Sequence, residues 1–81
     1  MKVKKFYADW CEPCKLLSKI LDNIKIDIPV EEVNIDQNMD SLKQYNVRSV
    51  PTMIMFDEND REIKRKVGIM TNEEAVNWFR N

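Results

Sequence analysis

The chain has 81 residues, 43% of them hydrophobic and 33% charged, with a formal net charge of −1. A chain of that size is expected to form one domain, residues 1–81, with a small core that buries about 60–65% of the unfolded surface, and its composition excludes a disordered tail. The near-neutral charge gives no field for nucleic acid or anionic lipid, and no apolar run nears the roughly 18 residues of a membrane span.

Lys2 to Tyr7 reads as a short strand. A helix is predicted from Glu12 to Asn23, with Leu16, Leu17, Ile20, Leu21 and Ile24 at helical spacing. Pro13 falls in its first turn, where a missing N–H does no harm. Val30 to Ile35 reads as a second strand running into the polar stretch Asn34 to Asn38, and a short helix is expected over Met39 to Tyr45. The unbroken apolar run Thr52-Met53-Ile54-Met55-Phe56 suits a strand buried on both faces. After the turn cluster Asp57 to Asp60, Glu62 to Val67 alternates Ile63 and Val67 with Lys64 and Lys66, which predicts a hairpin whose second strand is a charged sheet edge. Thr71 and Glu74 make a capping box that opens a last helix with Ala75, Trp78 and Phe79 on its buried face. The five methionines, Met53 and Met55 among them, read as core filler. The layout is α/β, with element order βαβαββα.

The only two cysteines, Cys11 and Cys14, sit where the first strand meets the first helix. A Cys-x-x-Cys at a helix start places the leading sulfur against unsatisfied N–H groups and the positive end of the helix dipole, which favours its thiolate. Closing so short a loop would stabilise the fold by only about 2 kcal/mol, so a purely structural disulfide is a poor explanation. A zinc site needs about four ligands, and the chain offers two cysteines and no histidine. A redox pair is the favoured reading, beside a metal or cluster site completed by a second chain and an incidental pair. The N-terminal lysines are followed by no apolar segment or cleavage site, so no signal peptide is visible and a cytoplasmic location is expected.

The runs Phe6-Tyr7-Ala8-Asp9-Trp10-Cys11-Glu12-Pro13-Cys14-Lys15, Val33-Asn34-Ile35-Asp36, Val47-Arg48-Ser49-Val50-Pro51-Thr52 and Lys66-Val67-Gly68 together resemble the thioredoxin family. The resemblance implies a minimal thioredoxin fold, a four-stranded mixed sheet with three helices, lacking the N-terminal strand and helix usual in that family. It implies a thiol–disulfide oxidoreductase that reduces protein disulfides, with no cofactor beyond the Cys11–Cys14 couple. Disulfide-containing proteins would be substrates, thioredoxin reductase or glutathione the electron donor, and the protein a monomer without nucleic-acid or membrane partners. By the same analogy Cys11 is the nucleophile and the more exposed sulfur, and Cys14 the resolving thiol. Pro51 is expected to be cis, with Val50 offering its backbone to an extended substrate. Trp10, Val50, Gly68 and Ile69 would form the apolar rim, with Glu12 and Pro13 between the cysteines.

Three positions depart from the pattern. Glu12 stands where the family usually has glycine, and its charge opposes the helix dipole. Lys5 stands where the family usually carries a buried acid, and Glu32 where it carries a lysine. Since those two lie on adjacent strands behind the disulfide, Lys5 and Glu32 are candidates for a charge-swapped pair at the catalytic centre. A plain alternative is that Lys5 runs its head out to water past a thin sheet face. A glutaredoxin-like enzyme fed by glutathione is the nearest rival, although the glycine pair that would hold glutathione is not found after Pro51. A thioredoxin-fold binding module without essential redox activity, and an iron–sulfur cluster bridging two chains, are alternatives of other classes.

Overall fold

All five residues of the strand Thr52–Phe56 are buried, with a paired strand on each side and a core cluster on each face. The computed structural model describes residues 1–80. In chain order the elements are β1 (Lys2–Tyr7), α1 (Glu12–Asp22), β2 (Val30–Asn34), α2 (Met39–Gln44), β3 (Thr52–Phe56), β4 (Glu62–Val67) and α3 (Asn72–Arg80). The sheet order is β2-β1-β3-β4. β1 runs parallel to β2 and antiparallel to β3, which pairs antiparallel with β4. This is the expected four-stranded mixed sheet with three helices. The boundaries differ by a residue at three ends: Asn23 and Tyr45 cap α1 and α2 rather than extending them, and β2 stops at Asn34.

Alternation along β1 and β3 divides the core in two. On one face Val3, Met53 and Met55 pack with Leu17 and Leu21 of α1 and Ala75 and Phe79 of α3. On the other Phe6, Ile54 and Phe56 pack with Val33 and Val47, closed by Leu42 and Tyr45 at α2. The rings of Phe6 and Phe56 both meet Tyr45, at 5.8 and 5.5 Å between centroids. Met53 and Met55 are core filler, as their place in an apolar strand implies.

Leu16 departs from the expected buried stripe of α1, being half exposed. The buried positions are Cys14, Leu17 and Leu21, a narrower stripe three and four residues apart. Leu16 sits one residue, or about 100°, round the helix from Leu17.

The edge strand β4 also differs from expectation. Ile63 and Val67 are exposed, whereas Lys64 and Lys66 are half-buried. The Lys64 ammonium lies 5.0 Å from the centre of the Trp78 ring and donates to the Trp78 carbonyl, so this lysine lids α3 instead of fending off other strands. Arg65 works on the opposite face. It donates to the Tyr45 and Asn46 carbonyls at the end of α2, at 2.9 and 3.3 Å, and grips both Glu62 oxygens at 2.7 Å.

Two carboxylates held by such contacts make a modest, pH-dependent contribution to stability. The hydrogen bonds from Arg65 hold the Glu62 carboxyl below its ordinary range. At α3 the Thr71 backbone N–H, bonded at 2.9 Å, does the same for Glu74. A carboxyl depressed by folding stabilises the native state above its unfolded pKa, about 4.3, and the contribution is lost as pH falls through the folded value. The thermal midpoint is therefore expected to fall steadily below about pH 4.3. Glu62→Gln should flatten part of that fall in melts followed by circular dichroism.

Candidate functional site

The end of β1 delivers the chain to the site, because Ala8 is buried and Asp9 and Trp10 turn outward before α1 begins. Cys11 is the N-cap of that helix, with extended φ of −92° and ψ of 106°. Its sulfur takes the place of the usual serine or aspartate oxygen and accepts the Cys14 N–H at 3.1 Å. Pro13 follows in the first turn, where its ring pre-sets the helical φ. Cys11 and Cys14 are joined as a disulfide with 5.2 Å between their Cα atoms. A helix N-terminus with such an N–H donor favours a thiolate at the N-cap sulfur once the disulfide is reduced.

Taken as whole residues, both cysteines are buried. Cys11 is 4% and Cys14 3% exposed. What separates them is position, with Cys11 at the helix tip and Cys14 one turn inside. Glu12 is turned to solvent and paired with Lys15 at 3.0 Å, so its opposition to the helix dipole is screened and partly neutralised.

Val50, Tyr7 and Ile35 pack around Ala8, Cys11 and Cys14. The Val50–Pro51 peptide is cis. The Pro51 carbonyl accepts the Gly68 N–H at 2.8 Å, which ties the end of β4 to this turn. Gly68 has φ of +90°, a conformation that glycine adopts without a Cβ penalty. Among the described residues neither the N–H nor the C=O of Val50 has a hydrogen-bond partner. Of the four rim candidates, Trp10 and Ile69 are exposed and Val50 and Gly68 half-buried.

Asp36 is a site residue that sequence reasoning passed over. The Trp10 indole N–H donates to its carboxylate at 3.0 Å and so holds the ring beside the cysteines. Asn34 supports that acid by accepting the Asp36 N–H at 3.0 Å, and its carbonyl accepts from the Asn38 side chain at 2.9 Å. The available signal was the Asn-x-Asp at the end of a predicted strand, a favoured local turn.

Lys5 and Glu32 stand opposite each other in the parallel register of β1 and β2. The Lys5 side chain is 4% exposed and its ammonium lies 3.3 Å from Glu32, which excludes the alternative of a head run out to water. It also donates to the Ser18 hydroxyl at 2.7 Å. Ser18 lies one turn beyond Cys14 on the same helix and was not singled out from the sequence.

A sequence profile of thioredoxins matches residues 2–81. The chain belongs to the thioredoxin family. It is 37% identical over 75 residues to a thioredoxin from Chlamydia pneumoniae, covering 89% of this chain and 72% of that one. It is 34% identical over 80 residues to the thioredoxin of Rickettsia bellii, covering 94% of this chain and 75% of that one. Among solved structures, a point mutant of a thioredoxin from Halobacterium salinarum superimposes with a TM-score of 0.86 at 28% identity, over 96% of this chain and 70% of that one. The protein therefore has the thioredoxin fold, and its Cys11–Cys14 pair is that of a dithiol–disulfide oxidoreductase. Among the described residues no three His, Cys, Asp or Glu side chains are grouped to hold a metal ion. No helix there is long and apolar enough to cross a membrane.

Proposed function

We propose that this thioredoxin-family protein reduces disulfides of other proteins, with Cys11 as the nucleophile and Cys14 as the resolving thiol. The observation that carries the assignment is the N-cap position of Cys11, whose sulfur alone receives the Cys14 N–H. An extended substrate segment lies against the unpaired backbone of Val50, between Trp10 on one side and Gly68 and Ile69 on the other. Glu12 and Pro13, both exposed in the first turn of α1, form the surface that the substrate crosses.

In the forward reaction the Cys11 thiolate attacks one substrate sulfur and the other leaves as a thiolate, which takes a proton from water. Cys14 then loses its proton and attacks Cys11. The Cys11–substrate bond breaks, the second substrate sulfur is protonated, and the Cys11–Cys14 disulfide forms. Two electrons pass from the protein to the substrate in each cycle, and no further cofactor is required.

A reductase returns those electrons, for which the family resemblance points to thioredoxin reductase. The proposed setting is the cytoplasm and the working form a monomer. The test is reduction of insulin with either NADPH and thioredoxin reductase or glutathione as donor. Turnover that depends on the reductase and disappears in Cys11→Ser is the expected result. Turnover sustained by glutathione alone would replace the reading with a glutaredoxin-like one, and survival of the biological effect without either cysteine would replace it with a binding module.

A further inference from the structure

We propose that Lys5 and Ser18 form a hydrogen-bond relay that holds Cys14 as a thiolate for the resolving attack, its strength set by Glu32. The proposal rests on the dithiol-exchange reading above and assigns positioning residues to its second half. In that step Cys14 must give its proton to water, attack the Cys11 sulfur and release the reduced substrate thiol. A buried sulfur needs something to stabilise the charge it carries between losing the proton and forming the bond.

Three observations place the relay there. The Lys5 ammonium is a buried cation, and burying one is costly unless its protons are bonded. It is bonded to the Ser18 oxygen at 2.7 Å and paired with Glu32 at 3.3 Å. The Ser18 oxygen is thereby committed as an acceptor, while its own O–H has no acceptor among the described residues. Finally, Cys14, Ser18 and Glu32 line one open cleft of about 280 Å³, roomy enough for several waters.

Cys14 and Ser18 are four residues apart on α1 and so occupy neighbouring positions on one helix face. The free Ser18 O–H, polarised by the ammonium behind it, is the donor available to a Cys14 thiolate, directly or through one water. Glu32 opposes it. Its side chain is 59% exposed, so solvent screens its charge more than that of Lys5 and leaves the buried side of the pair net positive.

The other charged or titratable groups around Cys14 are Tyr7 on β1, Asp9 in the turn, Cys11 and Lys15 on α1, and Glu32 on β2. Val50, packed against the sulfurs from the turn before β3, brings no charge.

The test uses the Cys11→Ser protein, in which Cys14 is the only thiol, and follows its titration by thiolate ultraviolet absorbance. Adding Ser18→Ala removes the donor and should lower the thiolate fraction at pH 7 by roughly threefold. Adding Glu32→Gln removes the opposing charge and should raise that fraction by a similar factor. A merely structural role for these side chains predicts no such opposition of sign.

Opposite shifts in variants with wild-type circular dichroism support the relay. Unchanged titrations, or shifts in one direction, overturn it. Lys5→Met should lower the fraction further, and the two milder variants decide the matter if that one does not fold. Because insulin reduction by the wild-type protein is measured separately, failure of the relay and failure of the dithiol-exchange reading are distinguishable.

Discussion

Replacing Cys14 by serine is expected to convert the protein from a catalyst into a trap. Cys11 keeps its place at the tip of α1, so it still attacks a substrate disulfide. The mixed disulfide then has no internal thiol to release it. Intramolecular attack by Cys14 acts at an effective concentration far above any external thiol, so turnover should fall by roughly a thousandfold or more. Mass spectrometry of the reaction should show the protein covalently joined to substrate through Cys11. The reverse variant, Cys11→Ser, should show no adduct and no turnover. An adduct that forms in Cys11→Ser and not in Cys14→Ser would reverse the two roles.

The second large effect is on stability. Phe6→Ala should cost about 3–5 kcal/mol, the range for emptying a buried aromatic site. Phe6 is fully buried, pairs with both neighbouring strands and packs its ring against Tyr45. Its strand, β1, also carries the chain into the active site. A domain of this size has only about 4–12 kcal/mol in total, so the variant should lose roughly 12–40 °C of thermal midpoint. Urea titration checks this, with a lower midpoint at unchanged slope as the expected outcome. A loss below about 1 kcal/mol would mean that this face of the sheet is less tightly packed than its burial indicates.

Most of the fold was legible because each element carries a separate local signal. The apolar run Thr52–Phe56 has no polar member larger than threonine, which is why it lies in the sheet interior. The Thr71–Glu74 capping box is formed at 2.9 and 3.1 Å, as the spacing predicts. The Cys-x-x-Cys at a strand–helix junction located the redox centre before any contact was known. Side chains whose roles depend on tertiary register were not legible. Ser18 reads as an ordinary helix serine until α1 sets it beside Lys5, whose pairing with Glu32 was suggested only by the family resemblance. Met70 follows the exposed Ile69 and precedes an exposed threonine, yet it is buried against the α3 side of the core. Lys64 and Lys66 have the composition of a solvated edge, and only the position of Trp78 turns Lys64 into a lid.

Opposing charges act on the two sulfurs. The helix terminus favours a thiolate at Cys11 and the proposed Lys5–Ser18 relay one at Cys14, while Glu12 and Glu32 oppose them from solvent. Stabilising either thiolate favours the reduced form and makes the couple a weaker reductant, by about 30 mV for each tenfold gain. The most direct test is the reduction potential of the Cys11–Cys14 couple, measured by equilibration in graded thiol buffers. A reductant of protein disulfides requires a value more negative than about −230 mV, within reach of thioredoxin even after one such tenfold gain. A value above about −200 mV would contradict that role and mark the protein as an oxidant or isomerase.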